Sequence, residues 1–295
     1  MVNIKKRKVG KENYFYIEHS FRDGEKVQKK QKYLGKEIPK DIDKIKKDFL
    51  SELYKEKWLN SIDKIKHNFS EEQKIMPKSS REKEKETFAI KFTYNSQRIE
   101  GSTLSLRETA DLLERGITPS SKPIRDVKEA ETHKKLFSEM LKYEKDLNRQ
   151  IMLYWNKILL EQTKPDAAGK IRNHQVAISG SKFMPPFPAE IEPLLEEFFD
   201  WYSKNKDKLH PVELAALVHL KFVTIHPFPD GNGRISRIMM NFVLKKYKYP
   251  FMDIPYGKRT SYYNALERAQ IKKEERIFLQ WFFKRYIYEY KRYLK

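Results

Sequence analysis

The 295-residue chain contains no cysteine, only 10 glycines and no long uninterrupted apolar run. The absence of cysteine excludes disulfide bridges, thiolate nucleophiles and cysteine-ligated zinc. No apolar run reaches the roughly 20 residues that a membrane-crossing helix requires, and the amino-terminal sequence MVNIKKRK lacks the apolar stretch of a secretory signal. The sequence therefore predicts a cytoplasmic protein with no membrane partner.

Acidic residues are outnumbered by basic ones, 41 against 61, which gives a formal net charge of +20. Such a field favours polyanionic partners, including nucleotides and nucleic acids. An equally good interpretation is that many lysines only solvate helical surfaces. Charge alone therefore does not identify a function.

Residues 1–39 differ in pattern from the rest of the chain. Two β-prone runs, at 14–17 and 27–34, are joined around the turn-forming dipeptide Asp23-Gly24. We expect a small antiparallel sheet with a basic face. It would either pack on the main body, which we favour slightly, or dock a target or nucleic acid.

From near Asp41 onwards, the apolar residues recur at the spacing of a helix. We expect a helical linker over 40–85, with a charged, looser stretch at 69–86, and then a main domain over 86–295. Other helices are expected at 88–100, 105–115, 124–145, 147–163, 188–205, 211–225, 233–247, 259–270 and 275–293. Between 169 and 188 the pattern breaks into a short predicted hairpin.

The most informative stretch, HPFPDGNGRISR, occupies residues 226–237. Pro227 and Pro229 end the preceding helix and leave His226 at the mouth of a loop. Glycines on both sides of Asn232 let successive backbone N–H groups form an anion-holding nest. The loop then enters the N-terminus of a helix, which favours phosphate.

Charged side chains complete this pattern. Arg234 and Arg237 lie three residues apart on one helical face and can clamp phosphate oxygens. Asp230 offers a hard carboxylate suited to Mg²⁺. The sequence therefore predicts a di- or triphosphate site with an imidazole beside it.

These residues resemble the Fic family motif H-x-F-x-[DE]-G-N-G-R-x-x-R, whose fixed positions are filled by His226, Phe228, Asp230, Gly231, Asn232, Gly233, Arg234 and Arg237. The resemblance extends over roughly residues 86–285. It implies a mainly α fold, a Fic-type helical bundle with a β-hairpin flap, next to the small N-terminal antiparallel β-sheet. It also implies a protein adenylyltransferase that transfers AMP from ATP to a Ser, Thr or Tyr hydroxyl of a protein, itself included.

The resemblance assigns a role to each motif residue. His226 is the general base, Asp230 holds the cofactor Mg²⁺, and Asn232 with neighbouring N–H groups stabilises charge on the α-phosphate. Arg234 and Arg237 grip the β- and γ-phosphates. The full set of implied nucleotide-binding residues is Ile178, Ser179, Gly180, Ser181, Asp230, Gly231, Asn232, Gly233, Arg234, Ser236, Arg237, Tyr262 and Gln270.

Within that set, Tyr262 is the expected ring contact to adenine. Gln270 stands where relatives often carry an asparagine that hydrogen-bonds the base. His219, on the apolar helix 211–225, is expected to be buried and structural rather than catalytic.

The hairpin at 169–188 resembles the family's flap, with its tip at Ile178 to Ser181 near the nucleotide. A flap edge can accept an extended target segment as an added strand and so position its hydroxyl.

The sequence SQRIEG, from Ser96 through Glu100 to Gly101, resembles the family's inhibitory motif [ST]-x-x-x-E-[GN]. In resembling proteins this glutamate pairs with the second motif arginine, here Arg237, and blocks the productive γ-phosphate pose. The resemblance therefore implies that the enzyme rests autoinhibited on helix 88–100.

Two other functions stay open at this stage. Glu100 could act as a base for removal of AMP from a modified target by the same site. Alternatively, the chain could be a non-catalytic regulator that binds nucleotides or nucleic acid, the latter through the N-terminal sheet; this option is not favoured, because such a module does not need His226. Homodimerisation is common among the resembling proteins.

Overall fold

The structure, a computed structural model, describes residues 2–23 and 26–295. The chain is 63% helical, with one three-stranded sheet, which confirms the expected mainly α class with a small N-terminal antiparallel sheet. The elements are β1 (Asn3–Val9), β2 (Glu12–Asp23), β3 (Lys26–Gly35), α1 (Ile42–Ile75), α2 (Lys78–Ile99), α3 (Leu106–Arg115), α4 (Ile124–Lys142), α5 (Arg149–Leu160), α6 (Pro188–Asn205), α7 (Pro211–Ile225), α8 (Asn232–Lys246), α9 (Arg259–Lys272) and α10 (Glu275–Glu289), with short 3-10 helices at Tyr256–Lys258 and Lys291–Leu294.

The chain divides into two compact units, residues 1–61 and 62–295. The division falls within α1. The separation of a sheet module at 1–39, a linker at 40–85 and a main domain at 86–295 stays a prediction.

In the first unit the strands pair antiparallel in the order β1-β2-β3. Ile17 of β2 is fully buried and forms a small core with Phe49 and Leu53 of α1. Sequence analysis had found β2 and β3 but not β1, in which four consecutive cations, Lys5 to Lys8, hide the alternation of a half-buried strand. Gly24 of the expected turn lies outside the described residues.

The second unit is organised around α7 and α8, which pack against each other and are buried along most of their length. Large rings such as Trp155, Phe222 and Phe242 fill the surrounding core. The loop between α7 and α8 carries the sequence from His226 to Gly231. The motif therefore begins and ends in the best-packed part of the molecule.

The expected looser stretch at 69–86 was wrong. Helix α1 continues to Ile75, and α2 begins at Lys78. Residues 69–86 are dominated by Lys and Glu, which are strong helix formers even without an apolar stripe. Pro77 stands immediately before α2, where a residue without an N–H is well tolerated.

The segment 169–188 folds back on itself but contains no strand, so the expected β-hairpin becomes an irregular loop. Its tip is a turn in which the Ser181 N–H donates to the Ile178 carbonyl at 3.0 Å. Pro185 and Pro186 lack the N–H groups that a strand ladder needs on the returning side.

Side chains hold this loop together in place of a ladder. Arg172 Nη2 donates to the Pro186 carbonyl at 2.6 Å, and Gln175 Nε2 donates to the Pro185 carbonyl at 2.9 Å. The two prolines thus help to hold the loop together, because their carbonyl oxygens accept these hydrogen bonds.

Among the helices in residues 2–23 and 26–295, none is both long and apolar enough to cross a membrane.

Candidate active site

His226 directly follows the end of α7 and has left-handed backbone angles, φ 53° and ψ 55°. This conformation is uncommon for a residue with a Cβ atom and is retained only where the surroundings enforce it. Arg172 provides part of that enforcement: its Nε donates to the His226 carbonyl at 2.8 Å, and its backbone N–H donates to the Pro227 carbonyl at 3.0 Å.

The imidazole of His226 is oriented by a backbone acceptor. Its Nδ1 lies 3.3 Å from the Val223 carbonyl oxygen. Since a carbonyl can only accept, this contact places the proton on Nδ1 and leaves the lone pair on Nε2.

Burial lowers the pKa of His226 below its ordinary value, and Arg172 lowers it further, against the opposing effects of the Val223 carbonyl, Glu100 and Asp230. The imidazole is therefore neutral at pH 7. A neutral ring with a free Nε2 can accept a proton.

Asn232 closes the loop with its own side chain. Its Oδ1 accepts from the Phe228 N–H at 2.9 Å and its Nδ2 donates to the Phe228 carbonyl at 2.8 Å. Both amide atoms are thus used within the loop. What Asn232 can offer to a phosphate is its backbone N–H.

The N-terminus of α8 presents several such N–H groups. The Ile235 N–H donates to the Gly231 carbonyl at 2.9 Å, which is the first hydrogen bond of the helix. The N–H groups of the three preceding residues, 232 to 234, therefore have no intrahelical acceptor. A Cβ at Gly233 would collide with Glu100 Oε1 and lie 3.1 Å from Arg237 Nη1, so glycine leaves room here for the Glu100 carboxylate.

Asp230 is surrounded by donors. Its Oδ1 accepts from the Gly231 N–H at 2.5 Å and from Arg234 Nη2 at 3.0 Å, and its Oδ2 accepts from Lys164 Nζ. Burial alone would raise the pKa of Asp230, but Arg234 and Lys164 outweigh burial and lower it. Sequence reasoning missed Lys164, which lies 66 residues from Asp230 in a turn without a recognisable pattern.

Asp230 fits Mg²⁺ as a single carboxylate ligand to an ion that a nucleotide brings with it, since Mg²⁺ is commonly held by one or two carboxylates and substrate phosphates. In the part of the chain that the structure describes, no group of three or more His, Asp and Glu side chains could hold a metal by itself. The Lys164 side chain is 40% exposed, so it has solvent into which to move if an ion takes its place.

Arg234 does not face the predicted phosphate site. Its side chain is 2% exposed; Nη1 donates to Glu129 Oε2 at 2.7 Å and to Gln97 Oε1 at 3.3 Å, while Nη2 donates to Asp230. A buried guanidinium needs such partners, and here they are all protein groups. The predicted grip on phosphate is therefore corrected to an internal role in this conformation.

Ser236 also departs from its prediction. Its side chain is fully buried, and the hydroxyl donates to the Gly233 carbonyl at 2.8 Å. It stabilises the first turn of α8 instead of contacting the cavity.

Arg237 is clamped by the C-terminal end of α2. Its Nη2 donates to Glu100 Oε1 at 2.7 Å and to the Ser96 carbonyl at 3.2 Å, and its Nε donates to Ser96 Oγ at 2.9 Å. Arg237 is 1% exposed at its side chain, whereas Glu100 is 30% exposed. The predicted pair between Glu100 and Arg237 is thus present, with Ser96 as a second acceptor.

A cavity of about 650 Å³ adjoins this clamp. It does not include Asp230, Gly231, Asn232, Arg234 or Ser236 among its lining residues. The predicted residues that it brings together are Glu100, Gly101, Ile178, Ser179, Gly180, Ser181, His226, Gly233, Arg237, Tyr262 and Gln270.

The aromatic wall of the cavity contains two tyrosines. Tyr262 is 1% exposed, and its hydroxyl lies 2.9 Å from Nε2 of His219. The adjacent Tyr263 is 44% exposed and donates its hydroxyl proton to the Ile99 carbonyl at 2.8 Å. Both tyrosines line the cavity, and Tyr263 has the more exposed ring; the contact of Tyr262 with adenine stays a prediction.

His219 is fully buried, as predicted, and burial lowers its pKa to about 3. It is neutral at physiological pH and supports Tyr262. Its structural role is confirmed.

Sequence reasoning also missed Glu267 of α9. Its Oε2 accepts from Ser181 Oγ at 2.9 Å and from the Lys182 N–H at 2.8 Å. Glu267 therefore fixes the tip of the flap loop at the edge of the cavity.

Residues 146–244 match the Fic/DOC family. This part of the chain is similar to a Fic domain. The match includes α5 to most of α8, and thus the whole loop from His226 to Gly231. The clamp residues Ser96 and Glu100 lie outside it.

Two comparisons with sequences place the chain among named relatives. The chain is 36% identical over 180 residues to proteins named protein adenylyltransferase Fic from Drosophila willistoni and Drosophila melanogaster. These alignments cover 60% of this chain and 36% of each relative. The chain therefore spans about a third of the length of the curated relatives it matches.

Solved structures show the same fold. A Fic domain containing signaling protein from Bacteroides thetaiotaomicron is 28% identical, with a TM-score of 0.71 over 79% of this chain and 97% of that one. Fic-1 from C. elegans is 27% identical, with a TM-score of 0.70 over 83% of this chain and 72% of that one.

Proposed function

We propose that this protein is an autoinhibited protein adenylyltransferase, which transfers AMP from ATP to a Ser, Thr or Tyr hydroxyl of a protein. The observation that carries the proposal is the cavity whose wall contains both His226 and Gly233, in the first turn of α8. The named activity of the Drosophila relatives agrees with it. A cytoplasmic location and homodimerisation stay predictions.

The base and the anion site supply the chemistry. Nε2 of His226 takes the proton of the target hydroxyl, whose oxygen attacks the α-phosphorus while the bond to the β-phosphate oxygen breaks and pyrophosphate leaves. The N–H groups at the start of α8 stabilise the charge on the α-phosphate. Mg²⁺, held at Asp230, would supply neutralisation of the phosphate charge.

The target hydroxyl has to be brought to His226. The flap loop 169–188 borders the cavity, and its tip is tied to Glu267. Although the loop is not a strand here, an extended segment of a target can still pair with its backbone. Tyr263 and Gln270 would hold the adenine ring.

Glu100 supplies the inhibition. Arg237 is the cationic side chain in the cavity wall best placed for a terminal phosphate, but its Nη2 already donates to Glu100. A carboxylate at this position competes for the guanidinium and repels phosphate. ATP therefore binds in an unproductive pose until Glu100 moves away.

The test is self-modification with ATP labelled at the α-phosphate in the presence of Mg²⁺. Glu100→Gly is expected to incorporate label at least about tenfold faster than the wild type, a difference of about 1.4 kcal/mol. Glu100→Gln, which keeps the size of the side chain but not its charge, separates electrostatic from steric inhibition. Glu100→Gly with His226→Ala is the control that should lose the label.

Two outcomes would overturn the proposal. If none of the variants incorporates label while ATP binding is retained in a direct titration, the protein does not adenylylate itself and that part of the proposal is wrong. If wild type and Glu100→Gly are equally fast, transfer stands and autoinhibition is wrong.

A second activity is favoured by one observation: Glu100 is partly exposed within the same cavity as His226. There Glu100 could take a proton from water, whose oxygen attacks the AMP phosphorus, while the target oxygen leaves and takes the Nε2 proton of His226, which has to be in its protonated form for this step. Release of AMP from a labelled target by wild type, lost in Glu100→Ala, would establish this reverse function.

A further inference from the structure

The face of the N-terminal sheet that is turned away from α1 has no part in the proposed activity. Along a strand, side chains alternate between the two faces. Ile4 and Ile17 pack with α1, so their neighbours Lys5, Arg7 and Tyr16 project to the other side. We call this the arginine–tyrosine face and define it by Lys5, Arg7, Tyr14, Tyr16, Gln31 and Tyr33.

Contacts across the three strands order this face. The Arg7 guanidinium lies over the Tyr16 ring, 4.8 Å from its centroid, and Arg7 Nη2 donates to Gln31 Oε1 at 2.7 Å. The Tyr33 ring lies 5.2 Å from that of Tyr16 and 6.2 Å from that of Tyr14. A planar cation and an amide are thus held in place on a flat aromatic support before any partner arrives.

The charge of this unit is strongly positive. Residues 1–61 contain 17 Lys and Arg against 10 Asp and Glu, and β1 contains four cations and no acid. The acids that the alternation places on the face, Glu12 and Glu18, are already paired: Glu18 Oε2 accepts from Lys29 at 2.6 Å and from Gln31 Nε2 at 2.7 Å, and Glu12 forms an ion pair with Lys36. The field therefore suits a polyanion.

The dimensions and chemistry suit duplex DNA in particular. Two neighbouring strands, about 4.8 Å apart, make a ribbon of the kind that the major groove, about 12 Å wide, admits. Arginine pairs with the O6 and N7 edge of guanine and glutamine with adenine, while lysines contact phosphates. Arg7 lies on the face as such a reader, whereas both amide atoms of Gln31 are bonded within the sheet, Oε1 to Arg7 and Nε2 to Glu18.

A single strand suits the face less well. Proteins that bind single strands present open aromatic rings on which successive bases stack. Here Tyr14 and Tyr16 are half-buried by their neighbours, and Tyr33, at 51% exposure, is the open ring of the three. We propose that the arginine–tyrosine face binds duplex DNA, with the sheet seated in the major groove.

The experiment measures fluorescence anisotropy of a labelled duplex of about 20 base pairs with the full chain, between 50 and 200 mM salt. We expect binding that weakens steeply with salt. Lys5→Ala with Arg7→Ala should weaken it at least tenfold and reduce the slope by about 2, since two phosphate or base contacts are lost. Arg7→Lys should retain the salt slope but lose discrimination between duplex sequences.

The matched control removes two exposed lysines of the same unit that lie on α1, Lys44→Ala with Lys47→Ala, and should change affinity by less than about twofold. Thermal melting of each variant checks folding, and Arg7→Lys keeps the test valid if the double variant melts early.

Several outcomes would overturn the proposal: no duplex binding at 50 mM salt, equal losses in the control pair, or tighter binding to a single strand, to vesicles of anionic lipid or to an acidic peptide. None of them bears on nucleotidyl transfer, which uses other residues.

Discussion

The two units of the chain use their charges in opposite ways. Around the α7–α8 loop, the arginines are buried and paired with carboxylates, as Arg234 is with Glu129 and Arg237 is with Glu100. In the N-terminal unit, cations lie at the surface, and pairs such as Lys30 with Glu56 are about half exposed. The first arrangement fixes geometry for chemistry, and the second leaves a field open to a partner.

The largest effect is expected from breaking a buried pair. Glu129→Gln should lower the free energy of unfolding by about 3 kcal/mol, because it leaves the buried Arg234 guanidinium with one fewer anionic partner. Chemical denaturation measures this change. Glu131→Gln, on the exposed face of the same helix α4, is the matched control and should change the free energy of unfolding by less than about 0.5 kcal/mol. Equal losses in the two variants would show that the buried pair with Arg234 does not stabilise the fold more than an exposed carboxylate does.

The pH dependence of AMP transfer tests whether the buried His226 acts as the base. Burial lowers the pKa of His226, and the imidazole can accept a proton only above that pKa. In the Glu100→Gly variant, the rate should therefore fall on acidification with a midpoint below pH 6.5. Single-turnover rates between pH 5 and 8 measure it, with tryptophan fluorescence confirming that the protein is folded; a midpoint above 6.5 would contradict the assignment.

A smaller effect is expected where a buried acid meets a partly exposed cation. Lys164 occupies one oxygen of Asp230, so it competes with any cation there. Lys164→Met should lower the Mg²⁺ concentration needed for half-saturation several-fold, a difference of about 1 kcal/mol. Titration of the protein with Mn²⁺ followed by its electron paramagnetic resonance signal provides a measurement independent of turnover, and an unchanged midpoint would refute the competition.

The smallest effect is expected in the exposed pair of the first unit. Lys30→Ala should change the free energy of unfolding by less than about 0.5 kcal/mol, since screened surface ion pairs contribute little. Denaturation under the conditions used for Glu129→Gln checks it directly. A loss as large as that of Glu129→Gln would remove the distinction between the two units.

The sequence by itself determined the helical pattern and the motif. Capping signals placed α3 correctly, from the Ser105–Glu108 capping box to the left-handed Gly116, because these interactions are local. The prolines and glycines around residues 226–233 likewise specified a loop between two helices. The periodicity of apolar residues did not reveal β1. It also failed to predict the helices over the charged stretch 69–86, which form because Lys and Glu have high helix propensity.

Only the tertiary structure decided which motif residues reach the cavity. Arg234 and Ser236 share the motif with Arg237, but they turn to Glu129 and to the Gly233 carbonyl. Glu129 is 105 residues distant from Arg234 in sequence, and Lys164 is 66 from Asp230. A motif specifies which side chains are available, whereas a buried charge takes the direction of the partner that packing brings within hydrogen-bond distance.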